Sequence, residues 1–234
     1  MKVESRYIDG SYFKNNPTWD RVDSPWKAKK VSELIKRHHI IPRSICEVGC
    51  GAGDVLRELV FQFSDCDFYG YDVAPQLESF WTDDIMSDSK ITFFLADFNE
   101  SNIYKYDIVL ALDVFEHVRD PFTFLEQMHL RGHKFVFHIP LDLSASSVLR
   151  GKPLLESRHS VGHLNFYTKD LALETLIDCG YKIIDWQYTS AYLAVEKKSI
   201  KAHLALLPRL IGNFINNDVS ARLFGGETLI VLAE

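Results

Sequence analysis

An α/β fold, with a mostly parallel sheet and helices on both of its faces, is the architecture this chain predicts. Three observations carry it. Segments patterned as strands alternate with segments patterned as helices from residue 24 onward. The run Tyr106–Leu112 is almost continuously apolar, as a strand covered on both faces requires. The stretch Ile45-Cys46-Glu47-Val48-Gly49-Cys50-Gly51-Ala52-Gly53-Asp54 reads as a short strand, a turn with glycines at alternate positions, and a helix start. In such a turn a ligand can press against backbone, because glycine allows positive φ and has no Cβ in the way. The helix start adds free N–H groups and a partial positive charge.

The elements follow in order. Residues 1–23 are polar and aromatic, with Tyr7, Tyr12, Phe13 and Trp19 around Gly10 and Pro17, and read as an ordered loop. Ser24-Pro25 starts a helix, Ser as N-cap and Pro at the first helical position, that runs to about Arg37 and buries Val31, Leu34 and Ile35. Ile45–Val48 is the first strand, and the helix after the glycines ends near Phe63. Strands follow at Phe68–Asp72, Ile91–Ala96, Tyr106–Leu112 and His133–Ile139. Pro75 opens a helix through about Ile85, and Asp120-Pro121 caps another over Phe122–Leu130. Thr168 caps the helix Lys169–Cys179, and Gly180 is its expected left-handed stop. Tyr181–Tyr188 and Thr228–Ala233 are the last strands. The segments 142–165 and 189–226 are long for connections in a compact domain and are expected to cover a substrate, together with the N-terminal 1–40.

The 234 residues fit one domain, 1–234. With 47% hydrophobic and 25% charged residues the chain is of ordinary globular composition. A net charge of -6 argues against a dedicated nucleic-acid binder, which needs a basic footprint. Cys46, Cys50, Cys66 and Cys179 form no CxxC pair, which points to a reduced, cytoplasmic protein. No apolar run reaches the ~18 residues of a membrane span. The apolar stretch 204–215 is expected to pack on its own domain or on a second copy in a homodimer.

Asp72 stands 19 residues after Gly53 at the end of the second strand, where an acidic residue holds ribose hydroxyls. The ligand is therefore adenosine-like, and NAD and S-adenosylmethionine compete. The dinucleotide fingerprint wants a small sixth residue, whereas Asp54 stands there and its carboxylate would repel a pyrophosphate. The glycine spacing GxGxG after the acidic Glu47 instead resembles motif I of the class I S-adenosylmethionine-dependent methyltransferases. Leu95-Ala96-Asp97-Phe98 looks like that family's adenine-contacting segment. Asp113-Val114-Phe115-Glu116-His117-Val118 is similar to the D-x-x-E-H-V signature of its small-molecule branch, and His163-Leu164-Asn165-Phe166-Tyr167-Thr168 to the segment before that branch's next helix.

The resemblance covers roughly residues 25–188. It implies a Rossmann-like, seven-stranded, mostly parallel sheet with an antiparallel last strand, and S-adenosyl-L-methionine as cofactor. Gly49, Cys50, Gly51 and Gly53 would lie against the methionine and ribose portion, with Glu47 orienting the amino group. Asp72 would take the ribose hydroxyls, with Val73 beside the adenine. Asp97 and Phe98 would meet the adenine, and Asp113 would lie near the methionine end. Methyl transfer is an in-line displacement that needs alignment and exclusion of water. A base is needed only if the acceptor loses a proton, and His117, His163 and His138 are the candidates. His159 and His163 are four apart, but Ser160 and Gly162 disfavour a helix there, so no metal is expected. The acceptor is expected to be a small or medium-sized metabolite, a sugar or glycan-precursor hydroxyl being preferred. The alternatives are a catalytically silent cofactor-binding subunit and an NAD-dependent oxidoreductase.

Overall fold

The computed structural model describes residues 5–19, 21–82, 90–101, 103–190, 212, 214 and 216–234. Two short helices, α1 (Ser5–Ile8) and α2 (Ser11–Asn15), precede a 3₁₀ turn, Arg21–Asp23, and helix α3 (Ser24–Arg37). Then come β1 (Ser44–Val48), α4 (Asp54–Val60), β2 (Asp67–Asp72), α5 (Glu78–Thr82), β3 (Ile91–Leu95), α6 (Phe98–Ser101), β4 (Tyr106–Leu112), α7 (Pro121–His129) and β5 (Gly132–Pro140). The chain continues through α8 (Ala145–Arg150), α9 (Lys152–Ser160), α10 (Lys169–Asp178), β6 (Ile183–Tyr188), α11 (Asn217–Phe224) and β7 (Thr228–Ala233).

The seven strands form one sheet in the order β3-β2-β1-β4-β5-β7-β6. The first five pair in parallel, and β7 lies antiparallel between β5 and β6. β1 is flanked by β2 and β4, with Ile45 opposite Phe68 and Ile108. The chain leaves β1 toward β2 and β3, then returns past it to β4 and β5. The crevice at the carboxyl ends of β1 and β4 is where such a reversal opens a ligand site.

Side chains alternate across the sheet with period two. Ile108, Leu110 and Leu112 of β4 join one apolar layer, with Val31, Leu34 and Ile35 of α3 and Leu56 and Leu59 of α4. Val109 and Ala111 join the other, with Phe124, Leu125 and Met128 of α7 and Leu176 of α10. Both faces are covered, as the continuous apolar strand requires.

Some local expectations need correction. Ser5–Ile8 and Ser11–Asn15 are short helices and Arg21–Asp23 a 3₁₀ turn, where the sequence predicts loop; their rings pack at tilted angles, Tyr7 on Tyr12 at 4.9 Å and Tyr12 on Trp19 at 5.0 Å between centroids. Helix α3 begins at Ser24 itself, after Asp23, and the cap makes no side-chain hydrogen bond. The segment 142–165 holds two helices; Ser144 and Ser147 form a capping box at the start of α8, a signal the hydrophobic pattern hid. Helix α4 stops at Val60, short of Phe63. Asp120 and Thr168 do cap α7 and α10, accepting from the N–H groups of Thr123 and Leu171. The apolar stretch 204–215 and most of 189–226 fall outside the described residues, as does the end of the helix after Pro75. No helix among the described residues is long and apolar enough to cross a membrane.

Leu110 is fully buried at the centre of the sheet. Leu110→Ala is expected to cost about 2–5 kcal/mol in urea unfolding. Leu130→Ala, at a position 72% exposed, is expected to stay within about 0.5 kcal/mol. Equal losses at the two positions would contradict the packing described.

Candidate active site

One cavity of about 470 Å³ opens at the carboxyl ends of β1, β2 and β4. Every residue assigned from the sequence to cofactor binding or catalysis lines it except Gly53: Glu47, Gly49, Cys50, Gly51, Asp72, Val73, Asp97, Phe98, Asp113, His117, His138 and His163. Tyr7, Tyr12 and Trp19 from the N-terminal helices, and Trp26 and Lys27 of α3, complete the wall.

The glycine turn is tight for two different reasons. Gly49 has φ +71, and a Cβ there would lie 2.9 Å from Val114 Cγ2, so only glycine lets β1 approach the end of β4. At Gly51 a Cβ would meet nothing within 4 Å, which leaves its backbone open toward the cavity. Gly53 acts behind the wall: its φ is +84, and a Cβ would run into the Phe93 ring. Phe93 stacks on Trp81, whose Nε1–H donates to the Gly51 carbonyl at 3.0 Å.

Asp72 Oδ2 accepts from the Gly51 N–H at 3.0 Å, and its Oδ1 accepts from Val73 and Ala74 at 2.7 and 3.0 Å. The carboxylate thus ties the glycine turn to the end of β2 and keeps lone pairs for a ligand hydroxyl. Burial pushes its pKa up despite those three donors. Asp97 Oδ1 accepts from the Asn99 N–H at 2.9 Å and starts α6. The Phe98 ring turns away from solvent and packs edge-on against Tyr71, with centroids 5.2 Å apart.

Asp54 stands outside this wall. It pairs with Arg21 at 2.5 Å and with Arg57 at 3.1 Å. Two guanidinium groups offset its charge, so it would not repel a pyrophosphate as its place in the sequence suggests. Its role in the fold is to latch the N-terminal segment to the helix after the glycines.

Asp113 adopts a left-handed backbone, φ 57, at the end of β4. Its Oδ2 pairs with Lys27 at 2.7 Å, and its Oδ1 accepts from His138 Nδ1–H at 2.7 Å. Burial alone would raise this carboxyl; His138 and Lys27 outweigh burial and hold it well below the usual range. The other nitrogen of His138 is also engaged, 3.1 Å from Thr189 Oγ1, which lies 2.6 Å from Thr228 Oγ1. Both ring nitrogens of His138 are therefore committed to the protein.

His117 and His163 meet edge to face, with centroids 4.8 Å apart. Asn165 brings them together: its side-chain amide donates to the Val118 carbonyl at 2.7 Å, and the N–H groups of Leu164 and Asn165 donate to the Glu116 carbonyl. The motif after β4 and the segment before α10 are thus zipped backbone to backbone. Burial, then His163, push the pKa of His117 down to about 4, against the Gly162 carbonyl. His163 Nδ1 lies 2.5 Å from Asp142 Oδ2 and 2.9 Å from Ser157 Oγ. His159, four residues earlier, is exposed on α9 and does not join His163. Sequence reasoning missed Asp142 and the pairing of Lys27 with Asp113, because contacts across the fold leave no local spacing to read.

The carboxyl group of Glu47 is buried, and its Oε2 has no hydrogen-bond partner among the described residues; the same holds for Trp19 Nε1. The Glu47 oxygen fits an ammonium or other N–H donor of a ligand, and the Trp19 N–H fits a ligand acceptor.

A strand-end crevice of this shape defines a nucleoside-type ligand site on a Rossmann-like sheet. Comparison with known proteins narrows the class. Residues 46–131 match the family model described as a methyltransferase domain. A curated relative, the malonyl-[acyl-carrier protein] O-methyltransferase of Anoxybacillus flavithermus (strain DSM 21510 / WK1), is 26% identical over 121 residues, covering 51% of this chain and 46% of that protein. The chain thus matches over about half the length of that relative. The fold is shared with the plantazolicin methyltransferase BpumL, solved with a monoazolic desmethylPZN analog and SAH: TM-score 0.63, 19% identity, 98% of this chain and 91% of that one. It is shared also with the magnesium protoporphyrin IX methyltransferase of Synechocystis PCC 6803, solved with SAH: TM-score 0.59, 15% identity, 89% and 82% covered.

Burial, chiefly, raises the Glu47 carboxyl to about 8, so it is protonated in the folded protein at neutral pH. Unfolding releases that proton above the ordinary carboxylate range near 4.5. Stability therefore falls as pH rises from about 4.5 and levels off beyond about 8. Glu47→Gln removes this dependence. Thermal melts of the ligand-free protein should show the variant gaining on the parent steadily from pH 5 to pH 8; a gap that does not change with pH would contradict the assignment.

Proposed function

We propose that this protein is an S-adenosylmethionine-dependent methyltransferase that methylates an oxygen of a small or medium-sized metabolite. The observation that carries the reading is one cavity with two unlike ends. One end has the glycine turn, Asp72 and Asp97; the other has His117 and His163 beside aromatic rings. The match of residues 46–131 to a methyltransferase domain supports it, as do the fold relatives solved with SAH.

Bound S-adenosylmethionine supplies an electrophilic methyl on a sulfonium. The chain's own residues do the rest. Asp72 accepts from the ribose hydroxyls with the lone pairs its backbone donors leave. Val73, Asp97 and Phe98 bound the adenine. Gly49, Cys50 and Gly51 give backbone approach to the ribose and methionine portion. Glu47 and Asp113 lie toward the amino-acid end, where a cationic amine relieves the burial of Glu47. Trp19 and Trp26 close the cavity and exclude water, which sharpens alignment of the reacting atoms. His117 and His163 face the acceptor. His138 acts through Asp113, since both its nitrogens are held.

The acceptor preferred is a hydroxyl of a sugar or glycan precursor. Aromatic faces at Tyr7, Tyr12 and Trp19 next to hydrogen-bonding imidazoles suit a polyhydroxylated ring. The segments 1–40, 142–165 and 189–226 are proposed as the acceptor's cover. The four cysteines are all free and buried, in keeping with a reducing cytoplasmic setting.

Calorimetric titration with S-adenosylhomocysteine tests the cofactor half. Binding should saturate at one per chain, weaken at least 10-fold in Asp72→Ala, and not be matched by NADH. Binding of NADH instead would overturn the reading. The acceptor half is tested by transfer of labelled methyl to extracted metabolites. His117→Ala should lower transfer about 100-fold while S-adenosylhomocysteine affinity changes less than 3-fold. Full binding with no transfer to any fraction by the unmodified protein would favour a silent cofactor-binding subunit.

A further inference from the structure

Beneath the acceptor end of the cavity lies a group that methyl transfer itself does not require. Glu116 is fully buried, and neither of its carboxyl oxygens has a hydrogen-bond partner among the described residues. A buried carboxylate left this way is costly unless something charged completes it. The neighbouring groups are imidazoles. His117 Nε2 lies 3.8 Å from Glu116 Oε1, and one ligand atom from each of Glu116, His117 and His163 lies within 4.8 Å of the others.

From this cluster we propose a binding site for a first-row divalent cation, held by Glu116, His117 and His163, at the acceptor end of the cavity. Two imidazoles and one carboxylate on one side of an ion are a donor set for zinc, manganese or iron(II), not for calcium or magnesium. The outer contacts match what a ligating histidine needs. His163 Nδ1 is held by Asp142 and Ser157, which fixes the ring and leaves Nε2 to coordinate. The backbone zipper from Leu164 and Asn165 to Glu116 sets the spacing between the two histidines. Donors on a tetrahedral zinc are about 3.3 Å apart, so atoms now within 4.8 Å of one another would draw in by up to about 1.5 Å to hold an ion.

Three protein ligands leave positions open on the side of His117 and His163 that lines the cavity. An oxygen-bearing acceptor would occupy them, and its hydroxyl would be acidified by the cation. This role rests on the methyltransferase reading; the cation site itself rests on the geometry alone.

The test titrates the full chain, stripped with chelator, with Zn²⁺ by calorimetry, and with Co²⁺ followed by visible absorption. One ion per chain is expected, with cobalt bands characteristic of nitrogen and oxygen ligation. Glu116→Gln and His163→Asn should each weaken Zn²⁺ binding at least 10-fold, and Asp142→Asn should weaken it by a similar factor through His163. Affinity for S-adenosylhomocysteine, measured on the same samples, reports that each variant is folded and that the cofactor half stands independently. No stoichiometric Zn²⁺ binding by the parent chain would overturn the proposal. So would binding unchanged in variants that still take up S-adenosylhomocysteine. Loss of S-adenosylhomocysteine binding by the parent chain would instead strike the methyltransferase reading and leave the cation site standing.

Discussion

The carboxylate of Asp113 is the hub on which the rest of this structure depends. It sits on a left-handed backbone at the end of β4, and each oxygen holds a different part of the chain. Lys27 ties helix α3 across the mouth of the cavity; His138 ties β5. Through Thr189 and Thr228 the same line of polar contacts reaches the ends of β6 and β7. This half-buried carboxylate is held by both partners at once, a histidine on one oxygen and a lysine on the other. Having them, it links the ends of β4, β5 and β6 to the start of β7, at the edge where the cavity opens.

The two halves of the cavity are built by different means. The end proposed for the cofactor is made of backbone: glycines that let strand and turn approach, and Asp72 accepting three N–H groups. The end proposed for the acceptor is made of side chains from three separate segments, drawn together by Asn165 and by the Asp142–His163–Ser157 contacts. Backbone geometry is shared readily among proteins of one fold. Side-chain constellations need not be, and function lives in them.

That difference decides what was legible in the sequence. Glycines at alternate positions, Asp72 at its fixed distance and the apolar run of β4 are local patterns, and the sheet follows from them. The caps at Asp120, Ser144 and Thr168 were equally local, although that at Ser144 was hidden within a segment read as loop. The pairing of Lys27 with Asp113, the sharing of Asp54 between Arg21 and Arg57, and the unpartnered Glu116 were not readable, because each joins residues that only the tertiary fold brings close. Asp54 is the instructive case. Its place in the sequence suggested repulsion of a phosphate; its place in the fold is that of a latch.

The most direct measurement is a crystal structure of the protein with S-adenosylhomocysteine. The ribose hydroxyls are expected on Asp72, the adenine beside Asp97, and the sulfur directed toward His117 and His163 within the same cavity. A nucleoside bound away from Asp72, or a sulfur turned from both histidines, would contradict this placement.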